Sequence, residues 1–346
     1  MKPVIFGCAG PVLSEQERAF FRREKPAGFI LFFRNIQNRE QVAALTADLK
    51  NAVGRHKVPI LIDQEGGRVQ RMTTPIWRKY PPMGVFGDMA QQDPTLAASA
   101  LRLNCRLIAD DLRRVGINVN CLPLLDVRHA GADAIIGDRA FSSDPALVAA
   151  LGRIAVDGLQ EGGVLPVVKH MPGHGRASVD SHLALPVVHT TVDELETTDF
   201  VPFQKLKDAA FGMTAHIIYS DIDAENPATL SRLVIARTIR MKLGFTGLLM
   251  TDDISMKALK GDLGGLATDA LAAGCDLVLH CNGDFGEMQQ IAHRVEMNEN
   301  GLEKRIANLV RSAESTPMAD RGDLIRRYDD LMAKFPEGKT PGDLSA

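Results

Sequence analysis

Two residues of the segment spanning residues 169–182 have the types and spacing needed to transfer a proton. Asp180 and His182 lie two positions apart, so in an extended segment both side chains point to the same side. A carboxylate beside an imidazole can fix the tautomer of the ring, and such a pair donates and accepts protons near neutral pH. Glycines at positions 173 and 175 allow the backbone to bend sharply. This pattern favours a catalytic dyad over the alternative, in which His182 only hydrogen-bonds within the loop.

Asp252 and Asp253 form a pair of carboxylates directly after an apolar run. Adjacent residues at the end of a strand point in opposite directions, so only one of the two easily faces a site at that end. A carboxylate opposite a proton donor can attack a sugar and form a covalent intermediate during glycoside cleavage. In the alternative interpretation, both aspartates cap the helix that follows.

Further charged and polar residues stand at the ends of other apolar runs. Charges in such positions cost desolvation energy, and a purely structural role rarely requires so many of them. Each alone could belong to a structural ion pair, but their convergence on one rim favours ligand binding. They are Asp63, Arg71, Lys169, His170, His216 and His280, together with Arg139 from a loop.

Eight short apolar runs alternate with segments of helical periodicity. Ser14 and Glu17 have the spacing of a capping box, and Asp93 and Asp144 each precede a proline at a predicted helix start. The runs are apolar almost throughout, as expected for strands that are buried on both faces. Eight such units predict an α/β fold, a single (β/α)8 barrel of the TIM type, rather than an open sheet. The runs are residues 4–8, 28–33, 58–63, 117–122, 164–169, 211–218, 247–251 and 276–280.

The barrel is predicted to form one catalytic domain over residues 1–336, with C-terminal surface helices at residues 302–312 and 324–335. Residues 337–346 are predicted to be a flexible tail. Active sites of such barrels lie at the carboxyl ends of the strands. The polar residues described above fall at these ends, so the fold predicts one site that contains them.

Composition excludes several classes of protein. The 346 residues include 40 Lys and Arg against 43 Asp and Glu, a formal net charge of −3, which argues against binding to nucleic acids or anionic membranes. The five cysteines are odd in number and contain no Cys-x-x-Cys pair, so neither a disulfide framework nor thiol-ligated zinc is expected. The sequence also lacks an apolar run of signal-peptide or membrane-spanning length. We therefore expect a cytoplasmic protein.

A metal site is a second interpretation of the histidines. His170, His174, His182, His216 and Asp252 could act as ligands on the rim of a barrel. The four-residue spacing within the first pair fits zinc ligation on a helix, but the proline and glycine between them argue against a helix.

Four motifs of this sequence resemble the family 3 glycoside hydrolases, and more narrowly the bacterial cytosolic β-N-acetylhexosaminidases of peptidoglycan recycling. The resemblance extends from residue 1 to about residue 314, in the order of the family, and the motifs together are highly specific. The departures are small: Met171 stands where Phe is common, and Ile254 where Leu is common. The motifs are KHMPGHG at 169–175 followed by DSH at 180–182, DQEGGRVQR at 63–71, GDRAF at 137–141 and TDDISM at 251–256.

The resemblance implies a retaining exo-β-N-acetylglucosaminidase without cofactor or metal. Asp252 would be the nucleophile and His182 the acid/base, assisted by Asp180. The substrate would be GlcNAc-terminated muropeptide fragments (GlcNAc-anhydroMurNAc peptides), and no nucleic acid, membrane or obligate protein partner is implied. Preference for GlcNAc over GalNAc or glucose, and hydrolysis over phosphorolysis, stay open. The other hypotheses are a metal-dependent barrel hydrolase and a sugar-binding protein that has lost catalysis. Substrate contacts would come from Asp63, Arg71, Arg139, Lys169 and His170.

Overall fold

Eight parallel strands close into a barrel in the computed structural model, which describes residues 1–177, 179–181, 183–298 and 300–335. The strands are hydrogen-bonded in the order β1-β8-β7-β6-β5-β4-β3-β2, and β1 also pairs with β2. The closed ring confirms the predicted (β/α)8 barrel over the open sheet. The strands are β1 Lys2–Gly7, β2 Pro26–Leu31, β3 Ile60–Ile62, β4 Val119–Asn120, β5 Leu165–Met171, β6 Phe211–Thr214, β7 Leu248–Asp253 and β8 Leu277–His280.

Helices surround the barrel, and several begin at the cap residues that the sequence indicates. The Ser14 side chain accepts from the backbone N–H of Glu17 in a complete capping box, and Asp93 and Asp144 cap helices whose first residue is proline. The helices are α1 Glu15–Glu24, α2 Arg39–Ala52, α3 Met83–Gln92, α4 Pro94–Arg114, α5 Pro145–Glu161, α6 Val192–Thr197, α7 Phe200–Lys205, α8 Leu263–Ala273, α9 Phe285–Arg294, α10 Leu302–Glu314 and α11 Arg321–Met332.

The sixth and seventh units differ in detail from the prediction. The sixth strand ends at Thr214 instead of residue 218, because Ile218–Tyr219 leaves the barrel and pairs with Val187–Val188. A π-helix, Val234–Lys242, stands where an α-helix is the ordinary expectation. The seventh strand continues through Asp253, so the aspartate pair forms the last two residues of this strand. His216 therefore follows the sixth strand, and the aspartates end the seventh.

Helix α10 closes the barrel at the amino ends of the strands. Its residues Leu302, Ile306 and Val310 are buried in the same apolar cluster as the side chains inside the barrel. Arg305 pairs with Asp276, just before β8. Because this end is plugged, access to the barrel is from the opposite end, where the carboxyl ends of the strands lie.

The predicted tail, residues 337–346, lies outside the described residues. Within the described ranges, no helix combines the length and apolarity needed to cross a bilayer.

Candidate active site

A cavity of about 280 Å³ opens at the carboxyl ends of the strands. This is the end at which (β/α)8 barrels carry their chemistry, and the cavity contains six of the predicted site residues. Its polar wall consists of Asp63, Arg71, Arg139, Lys169, His170, His174, Ser181, Asp252 and Asp253. Its apolar wall consists of Ile30, Phe32, Val69, Ile135, Ile136, Met213, Met256, Leu279 and Cys281.

Two predicted residues belong to the segment that follows β5. Asp180 is half-buried and directly precedes Ser181, which lines the cavity. His182, the predicted acid/base, lies outside the described residues. Of the predicted dyad, only Asp180 is described, and chain connection to Ser181 brings it to the edge of the cavity.

Asp63 stands at the end of β3 between two cations. Its Oδ1 lies 3.0 Å from Nζ of Lys169, and its Oδ2 lies 3.1 Å from Nη2 of Arg71. Burial alone would raise the pKa of Asp63, but Lys169 and Arg71 outweigh it and hold the pKa well below its usual value. Asp63 is therefore an anion that can accept hydrogen bonds from sugar hydroxyls, beside two groups that can donate.

Glu65 is a site residue that sequence reasoning missed. It is almost fully buried, its Oε1 lies 2.7 Å from Nζ of Lys169, and it accepts two hydrogen bonds from Arg139 at 2.8 and 2.9 Å. Burial opposes its charged form, yet Lys169 and Arg139 lower the pKa of Glu65. Its two-residue spacing from Asp63 was the available signal, since such a pair shares one side of an extended chain.

Gln64 holds this part of the chain in place. Its side-chain Oε1 accepts from the backbone N–H groups of Arg71 and Met72 at 3.1 and 3.0 Å, and its Nε2 donates to the carbonyl of Met72 at 2.8 Å. Asn120, at the end of β4, bonds both the backbone N–H and the carbonyl of Gln64. These buried bonds fix the backbone that carries Asp63, Glu65 and Arg71.

Asp126 is a second residue that the prediction missed. It is fully buried in the chain that follows β4, and its Oδ2 lies 2.8 Å from Nδ1 of His170. Its Oδ1 accepts from the backbone N–H groups of His170 and His174 at 3.2 and 2.7 Å. Burial would raise the pKa of Asp126, but His170 and the other donors lower it to about 2. The signal in the sequence was a lone carboxylate within the apolar segment 121–127.

Asp252 and Asp253 have different surroundings. Oδ2 of Asp252 lies 4.0 Å from Nε2 of His170. Asp253 Oδ1 accepts from the backbone N–H groups of Ser255 and Cys281 at 3.1 and 3.2 Å, and its Oδ2 accepts from Oγ of Ser255 at 2.8 Å. Neither aspartate caps the helix that follows, since α8 has Asp262 as its cap; the Asp253 carboxylate instead stabilises the turn after β7. The Asp252 carboxylate is the one of the pair that is available to a ligand in the cavity.

The charge on Asp252 is stabilised by its neighbours. Burial would raise the pKa of Asp252, but His170 and His216, with the backbone N–H of Asp253 and the charge of Lys169, lower it. His216 is itself held in place, with Nδ1 2.7 Å from Oγ1 of Thr229 and Nε2 3.0 Å from the carbonyl oxygen of Asp253. Asp252 is thus an ionised carboxylate at neutral pH, facing a small cavity.

His174 links the segment after β5 to the cavity wall. Its Nε2 lies 3.1 Å from Oγ of Ser181, and burial together with the nearby His170 lowers the pKa of His174 to about 4. In the described part of the chain, no group of three or more His, Cys, Asp or Glu side chains is arranged to hold a metal ion.

The family model of the glycosyl hydrolase family 3 N-terminal domain matches residues 10–312. This chain belongs to glycosyl hydrolase family 3. A curated β-hexosaminidase from Bordetella avium (strain 197N) is 38% identical over 284 residues, covering 81% of this chain and 80% of that protein. The family match and the curated β-hexosaminidase relatives identify the chain as a glycoside hydrolase of the β-N-acetylhexosaminidase type. This confirms the resemblance seen in the motifs.

Solved structures of the same family share the fold. NagZ from Neisseria gonorrhoeae in complex with N-trifluoroacetyl-D-glucosamine superimposes with a TM-score of 0.83 at 31% identity, covering 96% of each chain. The same protein in complex with zinc ion gives a TM-score of 0.84 at 30% identity, covering 95% of this chain and 98% of that one. These similarities confirm the (β/α)8 barrel over nearly the whole chain.

Proposed function

We propose that the chain is a retaining exo-β-N-acetylglucosaminidase that removes terminal GlcNAc from muropeptide fragments, GlcNAc-anhydroMurNAc peptides, during peptidoglycan recycling in the cytoplasm. The observation that carries the proposal is the ionised carboxylate of Asp252 in a small cavity beside His170. Its assignment as nucleophile is supported by this geometry, by its place at the end of β7 and by the family motif.

In the first chemical step, an Asp252 oxygen attacks the anomeric carbon while the bond from that carbon to the leaving oxygen breaks. The imidazolium of His182 gives its proton to the leaving oxygen, so the leaving group departs as a neutral alcohol. In the second step the neutral ring takes a proton from water, the hydroxide attacks the anomeric carbon, and Asp252 is released as a carboxylate. Two displacements retain the configuration of the sugar.

A histidine suits the role of acid/base. A carboxylic acid in this role needs a pKa raised by burial, whereas imidazole titrates near neutrality without such help. Asp180 would orient the ring and stabilise its charged form, as the carboxylate partner of an imidazole does.

The charged wall of the cavity would bind the sugar. Asp63 can accept from hydroxyl groups, and Arg71, Arg139, Lys169 and His170 can donate to them. The cavity of about 280 Å³ is slightly smaller than the usual range for small-molecule sites, about 300–1,000 Å³. This size supports one sugar ring and therefore removal of a terminal residue. The GlcNAc analogue bound by NagZ supports GlcNAc as that residue.

A panel of chromogenic β-glycosides, with and without phosphate, tests the proposal. Release of GlcNAc, initially in the β configuration, is expected from the GlcNAc glycoside and from a muropeptide. A preferred release of GalNAc or glucose would contradict the sugar assignment, and GlcNAc 1-phosphate as the main product would contradict hydrolysis. The zinc complex of NagZ favours a metal-dependent hydrolase as the second candidate.

A further inference from the structure

The chain between β3 and α3, residues 63–82, carries two side chains of the active-site cavity. We call these residues the β3 loop. Asp63 and Arg71 line the cavity, and they pair with each other at 3.1 Å. The end of the loop folds back onto its beginning, since the carbonyl oxygen of Tyr80 accepts from the backbone N–H of Gly67 at 2.9 Å. The conformation of the cavity residues therefore depends on where the end of the loop is held.

Gln70 makes this dependence closer, because it directly precedes Arg71 and bonds the end of the loop twice. Its Oε1 accepts from the backbone N–H of Tyr80 at 2.9 Å. Its Nε2 donates to the carbonyl oxygen of Arg78 at 2.7 Å. A shift of residues 78–80 would therefore move the backbone that carries the Arg71 guanidinium.

Helix α11 holds the end of the β3 loop through a buried carboxylate. The Tyr80 hydroxyl donates to Oδ2 of Asp111 at 2.7 Å, and Oδ1 of Asp111 lies 2.8 Å from Nη2 of Arg321, the first residue of α11. Tyr80 and Asp111 are fully buried. Burial and the charge of Asp111 raise the pKa of Tyr80 far above its usual value, so the hydroxyl stays protonated as a donor. Arg39, at 3.6 Å, is a more distant cation for the same carboxylate.

A second contact joins α11 to the same part of the loop. The guanidinium of Arg78 lies over the ring of Tyr328, 4.9 Å from its centroid, and also pairs with Asp329. Tyr328 is buried. Both contacts come from a helix that lies beyond residues 10–312, the part of the chain that the family model matches.

We propose that Tyr80 is a positioning residue for sugar binding, through which α11 and Asp111 hold the β3 loop in the conformation that places Arg71 in the cavity. The inference rests on the proposed function, in which Arg71 donates to hydroxyl groups of the sugar. Within the described part of the chain, the cavity is lined by Arg71 and not by Tyr80. Tyr80 therefore acts on binding more than on the chemical step, because Asp252 belongs to a different strand, β7.

The test measures the inhibition constant Ki of GlcNAc, with KM and kcat for 4-nitrophenyl β-GlcNAc. Tyr80→Phe removes the hydroxyl and keeps the ring in the core, and Arg321→Ala removes the link on the side of α11. Ile291→Ala is the control for a general loss of stability. Ile291 is fully buried in α9, which follows β8, three strands away from β3 around the barrel.

Tyr80→Phe and Arg321→Ala should each raise the Ki of GlcNAc and the KM about threefold to tenfold, the size of couplings carried through packed networks. The kcat should stay within about twofold in both variants. Arg321→Lys keeps a charge opposite Asp111 and should raise the Ki less than Arg321→Ala does. Ile291→Ala should lower stability in urea, because it leaves a cavity in the core, and should leave the Ki unchanged.

A double-mutant cycle with Arg71 separates positioning from general loosening of the structure. In the Arg71→Ala background, Tyr80→Phe should change the Ki by less than about twofold, since the side chain that Tyr80 positions is absent. Hydrogen exchange provides a second readout. In Tyr80→Phe, exchange should become faster at the backbone N–H of Gly67, whose acceptor belongs to residue 80, and should stay unchanged in β7.

An unchanged Ki in Tyr80→Phe or in folded Arg321→Ala would overturn the inference while leaving the proposed function intact. Additive effects in the cycle, or an equal rise of the Ki in Ile291→Ala, would also overturn it, because loss of stability would then explain the result. Tyr80→Phe and the cycle decide the question even where Arg321→Ala fails to fold. Failure of the wild type to hydrolyse 4-nitrophenyl β-GlcNAc would instead overturn the proposed function.

Discussion

The Oδ2 atom of Asp252 lies 4.0 Å from Nε2 of His170. The other ring nitrogen of His170 is held by Asp126 at 2.8 Å. An imidazole thus stands between two carboxylates: Asp252 faces the cavity, and Asp126 is fully buried. Asp126 is therefore a positioning residue, and Asp252 is the carboxylate that can react.

Replacement of the proposed acid by alanine should affect substrates according to their leaving groups. For His182→Ala, the loss in kcat/KM should be about 10²–10⁴-fold for a muropeptide, the usual contribution of general acid catalysis. It should be much smaller for a dinitrophenyl glycoside, whose leaving oxygen needs no proton. The comparison of kcat/KM over a series of aryl leaving groups checks this. Equal losses over the series would contradict the role of His182 as the acid.

The barrel could be predicted from the sequence because its signal is local. Apolar runs, the capping box at Ser14, and the Asp-Pro starts at Asp93 and Asp144 all act within a few residues, and the structure has each of them. The π-helix could not be predicted from the sequence. Its backbone hydrogen bonds span five residues instead of four, but the spacing of its apolar residues is nearly the same as in an α-helix.

The supporting charges of the site could not be predicted in the same way. Glu65 meets Arg139 at a separation of 74 residues, and Asp126 meets His170 at a separation of 44. From the sequence alone, each of these carboxylates could be solvent-exposed or could pair with any cation of the chain. Its partner is determined by the tertiary structure, in which the closed barrel brings distant residues together. The motif residues Asp63, Arg71, Arg139, Lys169, His170 and Asp252 do line one cavity. They were predicted together because the family motifs contain them, and their contacts were not predicted.

Glu65 should contribute strongly to stability. The variant Glu65→Gln removes the carboxylate that pairs with both Lys169 and Arg139, so these two buried cations would lose their shared counter-charge. Breaking such a buried pair costs about 3–5 kcal/mol, and urea-induced unfolding measures the loss. Asp138→Asn is the control, since Asp138 and Arg68 form a more exposed pair at 3.7 Å and its loss should cost less than about 1 kcal/mol. Similar losses for the two variants would show that Glu65 is not the stronger anchor.

Asp126 should make stability depend on pH in acid. Its pKa falls from 3.8 to about 2 on folding, so its contribution is fully present above about pH 5 and is lost as the pH falls through 2. This shift corresponds to about 2 kcal/mol. The difference in the free energy of unfolding between wild type and Asp126→Asn should therefore shrink between pH 5 and pH 2.

The control for this prediction is Asp269→Asn, at an exposed position of α8. Its difference from the wild type should be small at every pH, because an exposed carboxylate gains little on folding. A difference between wild type and Asp126→Asn that stays constant from pH 7 to pH 2 would contradict the ionised Asp126.

Chelation should leave the activity intact. In the described ranges, no cluster of metal-ligating side chains is present, and His170 and His216 already use their Nδ1 atoms in hydrogen bonds. Exhaustive dialysis against EDTA is therefore expected to leave kcat/KM for an aryl GlcNAc unchanged, with metal content measured in parallel. Activity that is lost with the metal and restored by zinc would favour the metal-dependent hydrolase.

The nucleophile can be tested first by substitution. Asp252→Ala should lose hydrolysis by about 10⁴-fold or more, because the residue forms the bond that the reaction requires. The folded state should persist, as judged by an unchanged circular dichroism spectrum. Asp253→Asn is less affected in the chemical step, since its carboxylate bonds the turn after β7.

The most direct measurement is to trap the covalent intermediate and locate it by mass spectrometry. An activated fluorinated GlcNAc analogue, which forms the glycosyl-enzyme quickly and releases it slowly, should add one sugar to the intact wild-type protein. After digestion, the sugar should be found on the peptide that contains Asp252, as an ester. A sugar attached to any other residue, or hydrolysis that inverts the anomeric configuration, would contradict the account.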